Sequence, residues 1–181
     1  APNTWRSLET GLRCENWLRA AALLADSGVL TDERRARMDA SLVQHGEYLV
    51  RSYDTFHKLS NWGILQDNGL YLLGLYLGRQ DWCALAARRM DENLHRSVFA
   101  DGSQWEQSPL YHCEVLHSAL NTLHYAQAAG QTLPERMVEN IRRMCTALAK
   151  WCKPNGELLL QSDSDTVDAR DLLVLGAALL D

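Results

Sequence analysis

Three glycine stops divide this sequence, and they constrain its fold more than any other feature. Gly28, Gly78 and Gly130 each follow a long run of helical periodicity. Each suits the left-handed cap that ends many helices. Each is followed within a few residues by a fresh start: Thr31-Asp-Glu, Asp81, or Pro134-Glu at a first turn. Turns this short force the flanking helices to pack antiparallel. The spacing predicts helices over 4–26, 31–55, 60–78, 81–97, 108–129, 134–152 and 169–180. They group into hairpins at 4–55, 60–97 and 108–152, followed by a last helix. Tandem helical hairpins build either an open α-solenoid or a closed α/α toroid.

The periodicity is consistent along the chain. Met137, Ile141, Met144, Cys145, Leu148, Trp151 and Cys152 form one apolar stripe, and Cys14, Trp17, Leu18, Ala21 and Ala25 form another. Ile64 to Leu77 is apolar on nearly every side, as expected of a helix surrounded by other helices. A short strand is conceivable only at Leu158–Leu160, after the Asn155-Gly156 turn. The fold class expected is all-α.

Composition narrows the function classes. With 181 residues and 46% hydrophobic content the chain can bury a sizeable core. No apolar run is long enough to span a bilayer, and no leader pattern is visible. A net charge of −5 without a basic stripe argues against nucleic acid. The five cysteines lack a CxxC pair and read as reduced, mostly core-facing thiols. His117 and His124 share a helix face but stand about 10 Å apart along it, too far to share one metal ion. The acids Asp163, Asp165 and Asp168 lack calcium-loop spacing and read as a solvated cap before the last helix. No metal site and no cofactor is expected.

The hairpin geometry points to one place. If the glycine turns lie at one end of the array, the helix starts at 60 and 108 are neighbours at the other. Those starts carry Ser60-Asn61-Trp62 and Ser108-Pro109-Leu110-Tyr111-His112. Tyr111 then sits in a first turn beside unpaired N–H groups, where the helix dipole favours an anionic ligand and lowers a phenol's pKa. Trp62 and Trp105 are candidates to stack on sugar rings, whereas Trp17 and Trp151 read as core. Arg13, Lys58 and His112 offer local positive charge. Tyr111, Glu114, Ser118, Asn121 and Tyr125 form a polar stripe that faces either a cleft or solvent.

The segment Asp101-Gly-Ser-Gln-Trp-Glu-Gln-Ser-Pro-Leu-Tyr-His112 resembles the signature of the heparinase II/III polysaccharide lyases. Gly-Leu-Arg13 with Asn16-Trp17, Ser60-Asn-Trp-Gly63 and Asp163-Ser-Asp165 are similar to other toroid segments of that family, in the same order. The resemblance implies β-elimination at the C4–O bond of uronic-acid glycans, heparan sulfate-like or alginate-like. It assigns carboxylate neutralisation to Asn61 and acid, or acid and base, chemistry to Tyr111. It implies substrate contacts from Arg13, Trp62, Trp105, Glu106, Gln107 and His112. The partner is then an acidic poly- or oligosaccharide, in a bacterial periplasm or cytoplasm. Relatives often carry a histidine where Trp62 stands, and take another from a β-sandwich beyond the toroid. The resemblance therefore implies that these residues belong to a longer catalytic unit and are inactive or weakly active alone. Two alternatives remain: a toroid glycoside hydrolase using Asp101 and Glu106, or a non-catalytic solenoid that binds glycan or protein.

Overall fold

The computed structural model describes residues 2–180, with side chains from Thr4 onward. A 3-10 turn, Pro2–Trp5, precedes α1 (Ser7–Leu23), α2 (Asp32–Arg51), α3 (Thr55–Leu59) and α4 (Asn61–Leu77). Then follow α5 (Gln80–Ser97), α6 (Pro109–Ala128), α7 (Glu135–Trp151) and α8 (Arg170–Leu180). The described residues contain no named strand. Val98 pairs with Gln104, and Glu157 with Asp168, as isolated bridges only, so the strand expected at 158–160 does not form. None of the described helices is long and apolar enough to cross a membrane.

The helices lie in two rows. In one row α1 packs on α4, α4 on α6, and α6 on α8; in the other α5 packs on α7, while α2 covers α1 and α4. The helix α8 therefore takes the next place in the first row, beside α6. As its all-round apolar sequence requires, α4 runs through the centre, buried from Gly63 to Gly74. Ile64, Leu70, Tyr71 and Leu73 meet Leu42, Leu49, Met90, Leu116 and Leu120 there. Within the first row a buried polar knot joins three helices. The Asn68 amide donates to Glu15 (2.7 Å), while Asn121 and Thr122 donate to the Asn68 carbonyl oxygen (3.0 Å each). The expected polar stripe on α6 is therefore split: Ser118 and Asn121 are buried, and Glu114 is exposed.

The glycine stops adopt the backbone that defines them, with φ of 70° at Gly28, 68° at Gly78 and 65° at Gly130. At Gly130 the helix closes as expected, since Gln131 N–H reaches back to the Ala126 carbonyl (2.8 Å). At Gly28 it does not. The helix α1 already ends at Leu23, and two further turns, Ala25 to Ala22 and Ser27 to Leu24, intervene. Its start is also later than expected, at Ser7. A second difference is α3, which the periodicity does not reveal. Asp54 creates it by accepting from Phe56 N (2.9 Å) and His57 N (3.3 Å). Trp17 is not core: it is 36% exposed, with its ring 5.3 Å from that of His45.

Candidate functional site

The starts of α4 and α6 do converge. Asn61, Trp62, Trp105, Glu106 and Tyr111 line one open hollow of ≈ 490 Å³, completed by Thr55, Phe56, Leu59 and Ser60. Three local devices build it. Ser108 is the N-cap of α6, accepting from Tyr111 N (3.3 Å), and Pro109 occupies the first turn. The corner before α4 is fixed by Asn93, whose amide donates to the carbonyls of His57 (3.0 Å) and Ser60 (3.1 Å). Gly63 makes that corner possible, because a Cβ there would fall 2.0 Å from the His57 carbonyl oxygen. The third device is Glu106. Ser60, the N-cap of α4, makes no capping bond, and the Glu106 carboxylate takes its place by accepting from Asn61 N (3.0 Å). The loop before α6 thus caps the neighbouring hairpin. Burial pushes the Glu106 carboxyl upward, opposed by the Asn61 N–H and Gln104.

Tyr111 departs from expectation. Its phenol is raised above the ordinary value, not lowered by the helix dipole. The first cause is its hydrogen bond to Asp163, where Oη donates to Oδ2 at 2.5 Å; burial and the charges of Asp163 and Glu106 add to it. Asp163 is therefore more than the solvated cap the sequence indicates. Asp168 does act at the next helix, accepting from Arg170 N (3.0 Å). The Asp163-Ser-Asp165 stretch was the sequence signal for this contact, but nothing in its spacing shows which side chain it meets.

The other sequence candidates lie elsewhere. Arg13 donates to His45 Nε2 (3.3 Å) and Thr10 Oγ1 (3.1 Å) and lies 6.0 Å from the Trp5 ring centre, outside the hollow. Gln107 and His112 face a separate hollow of ≈ 260 Å³ behind the same loop, with Gln104 and Trp151. His112 supplies no positive charge: burial lowers it to about 4, and its Nε2 lies 3.1 Å from the Met144 carbonyl oxygen. Asp101 does not join Glu106. Its carboxylate accepts from Ser103 N (2.9 Å) and Ser103 Oγ (2.7 Å) in the turn, so the hydrolase pair is not assembled in this hollow.

A polar trio lies behind Trp62. Ser7 Oγ is 2.5 Å from His57 Nε2, and His57 Nδ1 is 2.8 Å from Asp54 Oδ1. The side chain of Asp54 is 72% exposed and caps α3, so the trio reads as a tie between α3 and α1. Among the described residues, no three His, Cys, Asp or Glu side chains converge to hold a metal ion.

Two rows of antiparallel helical hairpins, with a polar, aromatic hollow where two helix starts meet, define a toroid-type helical domain. The chain belongs to the family described as Heparinase II/III N-terminus, whose model matches residues 1–175. Two solved structures titled as the heparinase III BT4657 gene product have the same fold. One gives a TM-score of 0.78 at 18% identity, covering 96% of this chain and 28% of that one. The other, with methylated lysines, gives 0.75 at 18%, covering 94% and 27%. The chain thus spans just over a quarter of the length of these relatives. No curated protein matches it.

Proposed function

We propose that this chain supplies part of the catalytic centre of a polysaccharide lyase that acts by β-elimination on a uronic-acid glycan. The observation that carries the reading is the shared hollow, in which Asn61 and Tyr111 are lined up with Trp62, Trp105 and Glu106. Family membership supports the lyase class.

The chemistry has three requirements, and the hollow offers two side chains toward them. The substrate carboxylate must be held by neutral donors so that negative charge can build at C5 and spread into it. Among the described residues no hydrogen bond engages the Asn61 carboxamide, so it is available for that role. A proton must leave C5 and another must reach the departing C4 oxygen. Tyr111 Oη, at the edge of the same hollow, is the group that would carry out proton transfer in this reading. Trp105, 44% exposed, and Trp62 offer faces on which sugar rings stack. Where the C5 proton and the C4 oxygen lie on the same face, Tyr111 Oη would serve as base and then as acid. Where the proton lies on the opposite face, the base would come from another part of the parent protein, for which a β-sandwich histidine is the family precedent.

The test is turnover of a panel of uronate polymers by the parent protein, followed by the ultraviolet absorbance of the unsaturated product. Tyr111→Phe is expected to lower kcat by roughly 10²–10⁴-fold, and Asn61→Ala to lower it with little change in fold. New reducing ends without that absorbance would mean hydrolysis instead. Retention of glycan without either product would mean a binding domain.

A further inference from the structure

The contact between Tyr111 and Asp163 bridges two elements that are 52 residues apart in sequence. The loop ahead of α8 is fastened onto the first turn of α6 at several points. Ser108 Oγ donates to the Asp163 carbonyl (2.8 Å) and lies 2.9 Å from Ser164 Oγ, which accepts from Leu110 N (3.3 Å). Ser162, next to Asp163, holds a left-handed backbone with φ of 54°, a conformation that non-glycine residues seldom adopt. Its carbonyl accepts from Ser164 N (2.9 Å). The carboxylate is thus delivered to the phenol by a loop fastened to α6 at Asp163 and Ser164.

The consequence is directional. A phenol has one proton, and here it points at Asp163, which turns the Oη lone pairs toward the hollow. Two carboxyl groups face this phenol, Asp163 from the loop and Glu106 from the segment before α6. Only Asp163 receives its proton, since Glu106 accepts from Asn61 N and has its own N–H held by Gln104.

We propose that Asp163 is a positioning residue for Tyr111: it sets the phenol rotor and holds the phenol proton while Oη accepts the substrate's. This rests on the lyase reading above. As the C5–H bond breaks, its proton goes to Oη and the phenol proton moves to Asp163 Oδ2. The electron pair left at C5 forms the C4=C5 double bond as the C4–O bond breaks. The leaving oxygen takes the proton from Oη, and Asp163 returns the one it holds. Nothing else is consumed.

Ultraviolet titration of phenolate in this chain tests the contact without any turnover. Tyr111 is isolated as the difference between the unaltered protein and Tyr111→Phe. That step is expected above the ordinary tyrosine range, and Asp163→Asn, which keeps the shape and removes the charge, is expected to bring it down toward that range. Circular dichroism of Asp163→Asn should be unchanged. In the active parent protein Asp163→Asn is expected to lower kcat on the order of 10-fold or more, leave KM nearly unchanged and shift the pH profile, with Asp163→Glu recovering part. A Tyr111 step that ignores Asp163→Asn overturns the proposal. A shifted step with unaltered kcat overturns the role in proton transfer. An unaltered parent protein that turns over no uronate polymer sinks the lyase reading, and that role with it, while the titration still decides the contact.

Discussion

The imidazole of His112 is neutral in the fold, and that has a measurable cost in acid. Its Nε2 faces the Met144 carbonyl oxygen, a group that only accepts, so Nε2 carries the hydrogen and Nδ1 is left without a partner. Burial lowers the group from 6.5 to about 4. The unfolded chain therefore binds this proton more readily, and stability is full above about 6.5 and falls as pH drops toward 4. At ~1.4 kcal/mol per unit this amounts to about 3 kcal/mol. His112→Phe, which keeps a ring against Trp151, should flatten that slope; urea midpoints between the two values would show it. An unchanged slope would mean that another group carries it. Sequence made Asn61 and Tyr111 legible because each begins a helix whose end is marked by glycine. It could not reveal which way His112 points, because a residue one place after Tyr111 turns about 100° around the helix and meets α7 instead of the hollow.

At the scale of elements, α1 and α4 cross with their backbones in close contact. A Cβ on Gly69 would lie 2.4 Å from the Gly11 carbonyl oxygen and 2.7 Å from Gly11 Cα. These are backbone atoms, so the helices themselves would have to separate. Gly69→Ala is therefore expected to destabilise by about 3 kcal/mol, because overpacking outweighs the roughly 1 kcal/mol of helix propensity that alanine brings. Gly28→Ala meets open space and suffers only its positive φ, about 1 kcal/mol. Thermal unfolding of the two variants should rank them in that order, and the reverse order would refute the close crossing. Periodicity located the long helices to within a few residues because their apolar stripes are long. It missed α3, where five residues make no stripe and a capping carboxylate decides, and it misplaced the end of α1, where the chain continues through turns before its glycine. The pairing of hairpins was legible from turn length, but the close contact of α1 with α4 was not, since Gly11 and Gly69 look like interruptions until they are seen face to face.

At the scale of the whole molecule, a buried guanidinium adds to the packing that joins the first hairpin to the second. Arg89 of α5 donates to the carbonyls of Leu49 (3.2 Å) and Val50 (2.8 Å) near the end of α2 and lies 4.2 Å from the Tyr53 ring centre. It also reaches Asp67 of α4, at 3.4 Å. The pairing looks like a buried ion pair, yet burial dominates at Asp67 and holds its carboxyl well above the usual range, against the pull of Arg89. Its Oδ2 has no partner. Arg89 is therefore anchored chiefly by carbonyls and an aromatic face, and Asp67 adds little when ionised. The sign follows from linkage. A carboxyl raised in the fold stabilises most at low pH, and that contribution is lost as pH climbs above 3.8 toward its shifted value. This opposes the trend set by His112 over an overlapping acid range, so each group flattens the slope the other would give. At neutral pH Arg89→Met should cost about 3–5 kcal/mol, the range for breaking a buried charged contact. Asp67→Asn should be nearly neutral or stabilising there, and should lose that advantage in acid. Urea unfolding of both variants at neutral and acid pH decides it. If Asp67→Asn is as damaging as Arg89→Met at neutral pH, Arg89 is anchored by its ion pair within the second hairpin after all, and the carbonyls of α2 are secondary.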